Sequence, residues 1–241
     1  MDWLFLSPHY DDIALSCAGL VWDRVVQGDR ASVWTICAGE VPPGSLSPFA
    51  ESLHARWETG SQAVDRRRSE DIASCGAMNA GYLHLELPDC IYRGGPAHFY
   101  ASEEAIFGEV HPQEDQLIHN LSNRLKGMLP PEAQVVCPLA LGGHVDHRLT
   151  RRAAEEMGCA LWYYPDYPYV LKNTAQLAEM TRQGWKRKEW TISPDGIAQW
   201  KASVAAHISQ ISTFWPDLPS MQQAIEGYAC QFGLNLWQKP T

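Results

Sequence analysis

The chain has no C-x-x-C pair, no sustained run of Lys and Arg, no internal repeat and no low-complexity tract. Its seven cysteines (Cys17, Cys37, Cys75, Cys90, Cys137, Cys159, Cys230) are odd in number and scattered, which argues for reduced thiols and against a Cys-ligated structural zinc. Basic residues are outnumbered, 19 Lys and Arg against 28 Asp and Glu, giving a net charge of -9 that would repel a phosphate backbone. Nucleic acid is therefore not expected as a partner. The cluster Arg66, Arg67, Arg68 is followed at once by Glu70 and Asp71, as on a solvated helix face or a small anion site. The first residues, Met1 to Leu6, carry Asp2 and too short an apolar run for a signal peptide or a membrane span, so a cytoplasmic protein with no membrane partner is expected. The sequon Asn120-Leu121-Ser122 lies in an amphipathic helical pattern and reads as coincidence.

What remains is ordinary globular composition, 45% hydrophobic and 20% charged, in a chain of 241 residues, which is sufficient for one α/β domain over 1–241. Trp3 to Leu6 forms a short apolar run that stops at Ser7-Pro8, as a buried parallel strand does. Apolar residues then return at helical spacing from Asp12 to Gln27, and Ala31 to Ile36 reads as a second strand, completing a β-α-β unit. The alternation continues with a helix over Asp65 to Met78, a strand at Tyr82 to Leu87, a helix from Glu114 to Met128, strands at Gln134 to Pro138 and Leu161 to Tyr164, and a helix starting near His147. A short strand near Trp190 to Ile192, a helix from Gly196 to Ile208 and a further helix near Met221 to Gly227 complete the reading, with Val41 to Phe49 as an irregular loop. The expected fold is Rossmann-like, a mostly parallel sheet flanked by helices.

Two polar segments fall where strands hand over to helices, the place where open α/β sheets bind ligands. Pro8-His9-Tyr10-Asp11-Asp12 follows the first strand, and His144-Val145-Asp146-His147 follows the Gly142-Gly143 loop after the strand at Val135-Val136. Each has a plain structural reading, since an Asp caps a helix well and His9 would serve in any loop. Together they offer more. His9, Asp12 and His147 could supply the three His and carboxylate ligands that a catalytic zinc site takes, and Asp11 and His144 would then remain beside the metal as acid or base groups for hydrolysis.

His9-x-Asp11-Asp12 and His144-x-Asp146-His147 resemble the two signature motifs of the LmbE-like, or PIG-L, family of zinc-dependent N-acetylglucosaminyl deacetylases. The resemblance extends to Gly39-Glu40, Arg68-x-Glu70, Leu87-Pro88-Asp89, and to Lys201, His207, Ser209 and Gln210. It departs at Tyr10 and Val145, where the family usually has proline. The resemblance implies zinc on His9, Asp12 and His147, a ligand set whose chemistry does not exclude iron. It implies Asp11 as general base and His144 steadying an oxyanion or protonating the amine, with Asp146 fixing the tautomer of His144. Arg68 and Asp89 would meet the substrate, an N-acetylated amino sugar; Arg68 has an equal reading as an exposed helix residue paired with Glu, whereas for Asp89 the family pattern favours a sugar hydroxyl over a cap for the turn after Pro88. The aromatic run Trp162, Tyr163, Tyr164, Tyr167, Tyr169 reads either as strand and core or as a stacking wall for a sugar. Two other readings stand beside this one: a zinc amidase of a thiol-glycoside conjugate, and a metal- or sugar-binding relative without turnover, against which Asp11 argues. Self-association into a homo-oligomer is left open.

Overall fold

A computed structural model describes residues 1–44, 46–57 and 62–240. In chain order the elements are β1 (Asp2–Ser7), α1 (Asp12–Val26), β2 (Arg30–Thr35), α2 (Pro48–Arg56), α3 (Ala63–Ala77), β3 (Gly81–His84), α4 (Glu103–Ile106), α5 (Asp115–Met128), β4 (Gln134–Pro138), α6 (Val145–Glu156), β5 (Leu161–Tyr164), α7 (Thr174–Arg182), β6 (Lys186–Trp190), α8 (Pro194–Ala206), α9 (Ile208–Phe214), α10 (Leu218–Phe232) and β7 (Leu234–Gln238). The strands form one seven-stranded sheet in the order β3-β2-β1-β4-β5-β7-β6. The first five are parallel to their neighbours, and β7 runs antiparallel to both β5 and β6. The expected single α/β domain with a mostly parallel sheet is what the chain forms.

The pattern has simple causes. β1 and β4 are buried on both faces, so Trp3, Leu4, Phe5 and Leu6, and Val135, Val136 and Cys137, run as unbroken apolar stretches. Helix α1 packs its small residues against α8, where Gly19 and Gly196 face the same Ile192 side chain and the indole N–H of fully buried Trp200 donates to the Leu15 carbonyl at 3.1 Å. Strand order reverses between β1 and β4, whose crossovers leave in opposite directions, and this opens a crevice at their carboxyl ends.

Several elements differ from the sequence expectations. Helix α2 occupies part of the loop expected over Val41 to Phe49, started by Ser47, whose hydroxyl accepts from Ala50 N at 3.1 Å with Pro48 in the first turn. The third strand ends at His84, short of Leu87, because the chain leaves the ladder there and meets the extension of β2 through a bridge of Cys37 with Glu86 and a hydrogen bond from Gly39 N to the Leu87 carbonyl at 2.9 Å. The strand expected near Trp190 to Ile192 is β6, ending at Trp190, and its partner β7 was not anticipated, nor was α7. The helix expected over Gly196 to Ile208 breaks at His207 into α8 and α9.

Candidate active site

Both polar segments lie at the crevice between β1 and β4. Asp11 is the N-cap of α1, yet its side chain makes no capping hydrogen bond, which leaves the carboxylate directed to other partners. Asp12 in the first turn accepts the His9 backbone N–H at 2.7 Å. After β4 the backbone reverses through Gly142 and Gly143, both at positive φ (87° and 80°), and a Cβ on Gly142 would meet the Tyr169 ring at 2.9 Å. The turn delivers His144 as the N-cap of α6 and His147 one turn later, 5.4 Å apart between ring centres, with His9 4.8 Å and 5.5 Å from them.

Asp12 lies between two histidines. One oxygen is 3.4 Å from His9 Nδ1 and the other 3.2 Å from His147 Nε2. The outer nitrogens of the same rings are held by buried carboxylates: His9 Nε2 is 3.0 Å from Asp146 Oδ2, and His147 Nδ1 is 2.6 Å from Asp166 Oδ1. Those carboxylates are themselves anchored. Asp166 accepts from Leu141 N at 2.9 Å, while Asp146 accepts from Cys90 N at 3.0 Å and from Arg93 at 2.6 Å, and Arg93 in turn pairs with Glu114 at 2.6 Å. The inner nitrogens of His9 and His147 and the Asp12 carboxylate are thus turned to one another, with the outer nitrogens tied to acids, the arrangement that fixes ring orientation and tautomer around a metal. Ligand atoms of His9, His144 and His147 also lie within 4.8 Å of one another. This mixed N and O set, with rings braced from behind, fits a divalent transition metal.

Without a metal the site is strongly charge-coupled. Burial lowers the His147 imidazolium, but Asp12 and Asp166 more than offset this and raise it to about 10. His9 behaves alike: burial opposes the charge, while Asp89, Asp12 and Asp146 hold it well above its ordinary value. Asp12, despite burial, is held well below the usual carboxylate range by His147 and His9. His144 goes the other way, because burial and the neighbouring His9 charge both depress it. Its Nδ1 accepts the Asp146 backbone N–H at 3.2 Å, so the neutral ring carries its proton on Nε2.

Two sequence expectations change here. The Asp146 carboxylate reaches His9 and Arg93, and it is the Asp146 backbone N–H that orients His144; the side chain, in the first turn of α6, is turned to the Arg93 guanidinium and the Cys90 N–H instead. Arg68 is not brought to the crevice: its guanidinium reaches Glu40 at 2.7 Å and the Ala38 carbonyl at 3.0 Å. One step along α3 turns a side chain by about 100°, and it is Arg67 that points inward, 3.5 Å from Asp11 and 3.7 Å from Asp89. Asp89 does line the crevice, capping the turn at Ile91 with one oxygen and leaving the other 3.8 Å from His9. Tyr10 and Val145 are fully packed: the Tyr10 hydroxyl donates to Ala38 O at 3.0 Å, and Val145 joins a small apolar cluster with Ile91 and Ile106. Near the C-terminal motif, Ser209 donates to Glu70 at 2.6 Å, Lys201 pairs with Glu226 on the surface, and His207 is buried with neither ring nitrogen hydrogen-bonded among the described residues.

His9, Asp11, Asp12, Arg67, Asp89, His144 and His147 share the wall of one cavity of about 720 Å³. Asp166, Arg67 and Arg93 were missed in the sequence; Asp166 follows β5 in Tyr164-Pro165-Asp166, another strand-end acid, and that position was the available signal.

A family model described as PIG-L, GlcNAc-PI de-N-acetylase, matches residues 4–158. The chain belongs to this family. A curated relative, 2'-N-acetylparomamine deacetylase of Niallia circulans, is 29% identical over 205 residues, covering 78% of this chain and 73% of the relative. A protein of the same name from Streptomyces fradiae is 28% identical over 187 residues, covering 74% of this chain and 61% of its own length. Among solved structures, a deacetylase in complex with teicoplanin superposes with a TM-score of 0.80 at 23% identity, covering 99% of this chain and 97% of that one. The zinc-inhibited form of teicoplanin deacetylase gives 0.77 at 24%, with 98% and 96% covered. Among the described residues no helix is long and apolar enough to cross a membrane.

Proposed function

We propose that this protein is a zinc-dependent N-deacetylase that hydrolyses the acetamido group of an amino sugar to acetate and a free amine. The observation that carries the reading is the convergence, in one cavity at the strand switch point, of a braced His9, Asp12, His147 set with an uncapped Asp11 and a neutral His144. Family membership and relatives named as deacetylases of an acetylated aminoglycoside support it.

His9, Asp12 and His147 would hold the metal, and Asp146 and Asp166 keep the two imidazoles aimed. A bound Zn²⁺ supplies Lewis acidity toward water and toward an amide carbonyl. Asp11 accepts the proton of the attacking water, and the Arg67 guanidinium, 3.5 Å away, helps hold that carboxylate in place. His144, with its proton on Nε2, donates to the oxyanion that develops on the former carbonyl oxygen. Cleavage of the C–N bond requires a proton on the departing nitrogen, and Asp11 holds the one just taken. Asp89 and Arg67 face the cavity as partners for sugar hydroxyls.

The test is to incubate zinc-loaded and chelator-treated protein with 2'-N-acetylparomamine, N-acetylglucosamine and an N-acetylated thiol glycoside, measuring new primary amine and acetate. Stoichiometric release from an amino sugar by the metal-loaded protein alone is expected. Release from the thiol conjugate only would favour the amidase reading, and release from none would overturn the proposal.

A further inference from the structure

Besides the charged groups of the site and Arg56, Glu103 and Lys172, the cavity is lined by aromatic rings. From His144 and His147 an unbroken series of rings runs along the wall: Phe107 lies 5.4 Å from His144, Tyr169 6.1 Å from His147 and 5.9 Å from Phe107, Phe214 6.4 Å from Tyr169, and Trp215 5.5 Å from Phe214, all between ring centres. All four line the same cavity as His9 and Asp11. Exposed Leu171 extends this wall and is half open to solvent, at 49%. Three segments contribute: the one after α4, the one after β5, and the end of α9 with the residue following it. Phe214 and Trp215 pack against the main core and Phe107 against the smaller apolar cluster, yet all three, with Tyr169, also line a space of about 720 Å³, the scale of a drug-sized ligand rather than of one acetamido hexose. Neighbouring rings left facing an open cavity are a place where apolar surface leaves water when a ligand binds.

We infer that the substrate is an amino sugar bearing an apolar substituent of about the size of an aromatic ring or larger, seated on the Phe107–Tyr169–Phe214–Trp215 wall while the acetamido group reaches Asp11 and His144. This rests on the deacetylase reading for the reacting end, but the wall itself is a binding claim. The substituent has two chemical sources, an aryl aglycone on the glycosidic oxygen or an acyl chain longer than acetyl on the nitrogen. Polar oligosaccharide aglycones, in contrast, would leave the rings unmatched and gain nothing from them.

Two measurements separate this inference from the reading beneath it. In the first, kcat/KM for amine release is compared among methyl N-acetyl-β-D-glucosaminide, its 2-naphthyl glycoside and N-octanoylglucosamine. A preference of about tenfold or more for one apolar substrate is expected, from the area that leaves water on binding, and whichever arm shows it names the source. In the second, calorimetry compares binding of methyl and 2-naphthyl β-D-glucosaminides, the deacetylated forms, with no turnover needed. Tighter binding of the naphthyl compound, weakened in Phe214→Ala and in Leu171→Ser at unchanged melting temperature, supports the wall even if no amine is ever released. Equal binding of the two glycosides, or a naphthyl preference untouched in both variants, would overturn it. Absence of amine release alongside a naphthyl preference would instead remove the deacetylase reading and leave the apolar site.

Discussion

At the carboxyl ends of β1 and β4 the chain buries charge, whereas along the far edge, where β7 and β6 close the sheet, it keeps charge at the surface and lays it over rings. In the first region Asp12, Asp146, Asp166, His9, His147, Arg93 and Glu114 sit almost out of water, and each is held by one or more of the others. In the second, exposed Lys188 lies 4.0 Å above Trp190, and Lys239 and Arg151 lie over Tyr163 and Trp185 at 5.3 to 5.9 Å. A buried ion is tolerable only while its partner remains, so residue type and place are tightly fixed there. A cation over an exposed ring contributes little and can be replaced by many side chains. The contrast predicts where substitutions are felt.

The largest effect is expected at Arg93→Met, which leaves Glu114 buried without its counter-charge and Asp146 with His9 alone. Removing one partner of a buried pair costs about 3 to 5 kcal/mol, read as a lower midpoint in chemical denaturation. A loss within the scatter of surface variants would erase the distinction between the two regions. Next, Asp166→Asn should retain the fold but weaken zinc binding about 10- to 100-fold in a competition titration, because His147 loses the acid that orients it. Unchanged affinity would mean that the acid behind the ring is only structural.

The pH dependence sharpens the comparison. In the chelated protein, burial opposes the His147 charge but Asp12 and Asp166 raise its pKa to about 10, against about 6.5 when unfolded. A group raised on folding stabilises fully below its unfolded value, and that contribution is lost as pH climbs through the folded one. The melting temperature of metal-free protein should therefore fall between pH 6.5 and 10, and more steeply than in His147→Gln. Parallel curves would show that His147 is not charged in the metal-free fold. At the other end of the scale, Lys188→Ala should cost about 0.5 to 1 kcal/mol at most. A loss matching that of Arg93→Met would contradict the contrast from the opposite side.

The same contrast explains what the sequence revealed. His9, Asp11, Asp12, His144 and His147 were legible because polar residues crowded at strand ends have few other reasons to be there, and the crossover pattern of β1, α1 and β2 follows from continuous apolar runs. That Arg67 rather than Arg68 faces the crevice is not legible, because three consecutive arginines carry no mark of which faces inward; only the rotation of α3 against the sheet decides it. The partner of Asp146 was misread because nearness in the chain suggested His144, while the tertiary approach of Cys90 and Arg93 supplied stronger donors. Strand β7 escaped because Leu234, Asn235, Leu236, Trp237 and Gln238 form a short pattern without a distinct period, stabilised by pairing with β6 rather than by local preference.

The most direct test of the deacetylase mechanism is the turnover and zinc content of Asp11→Asn on an N-acetylated amino sugar that the parent hydrolyses. Asparagine matches aspartate in size but cannot accept the water proton. The fold and a zinc content equal to the parent should persist while kcat drops by about 10²-fold or more, the usual scale of general-base catalysis. Asp12→Asn, measured beside it, should lose metal as well as rate. Turnover near that of the parent in zinc-replete Asp11→Asn would contradict Asp11 as the base and the mechanism built on it.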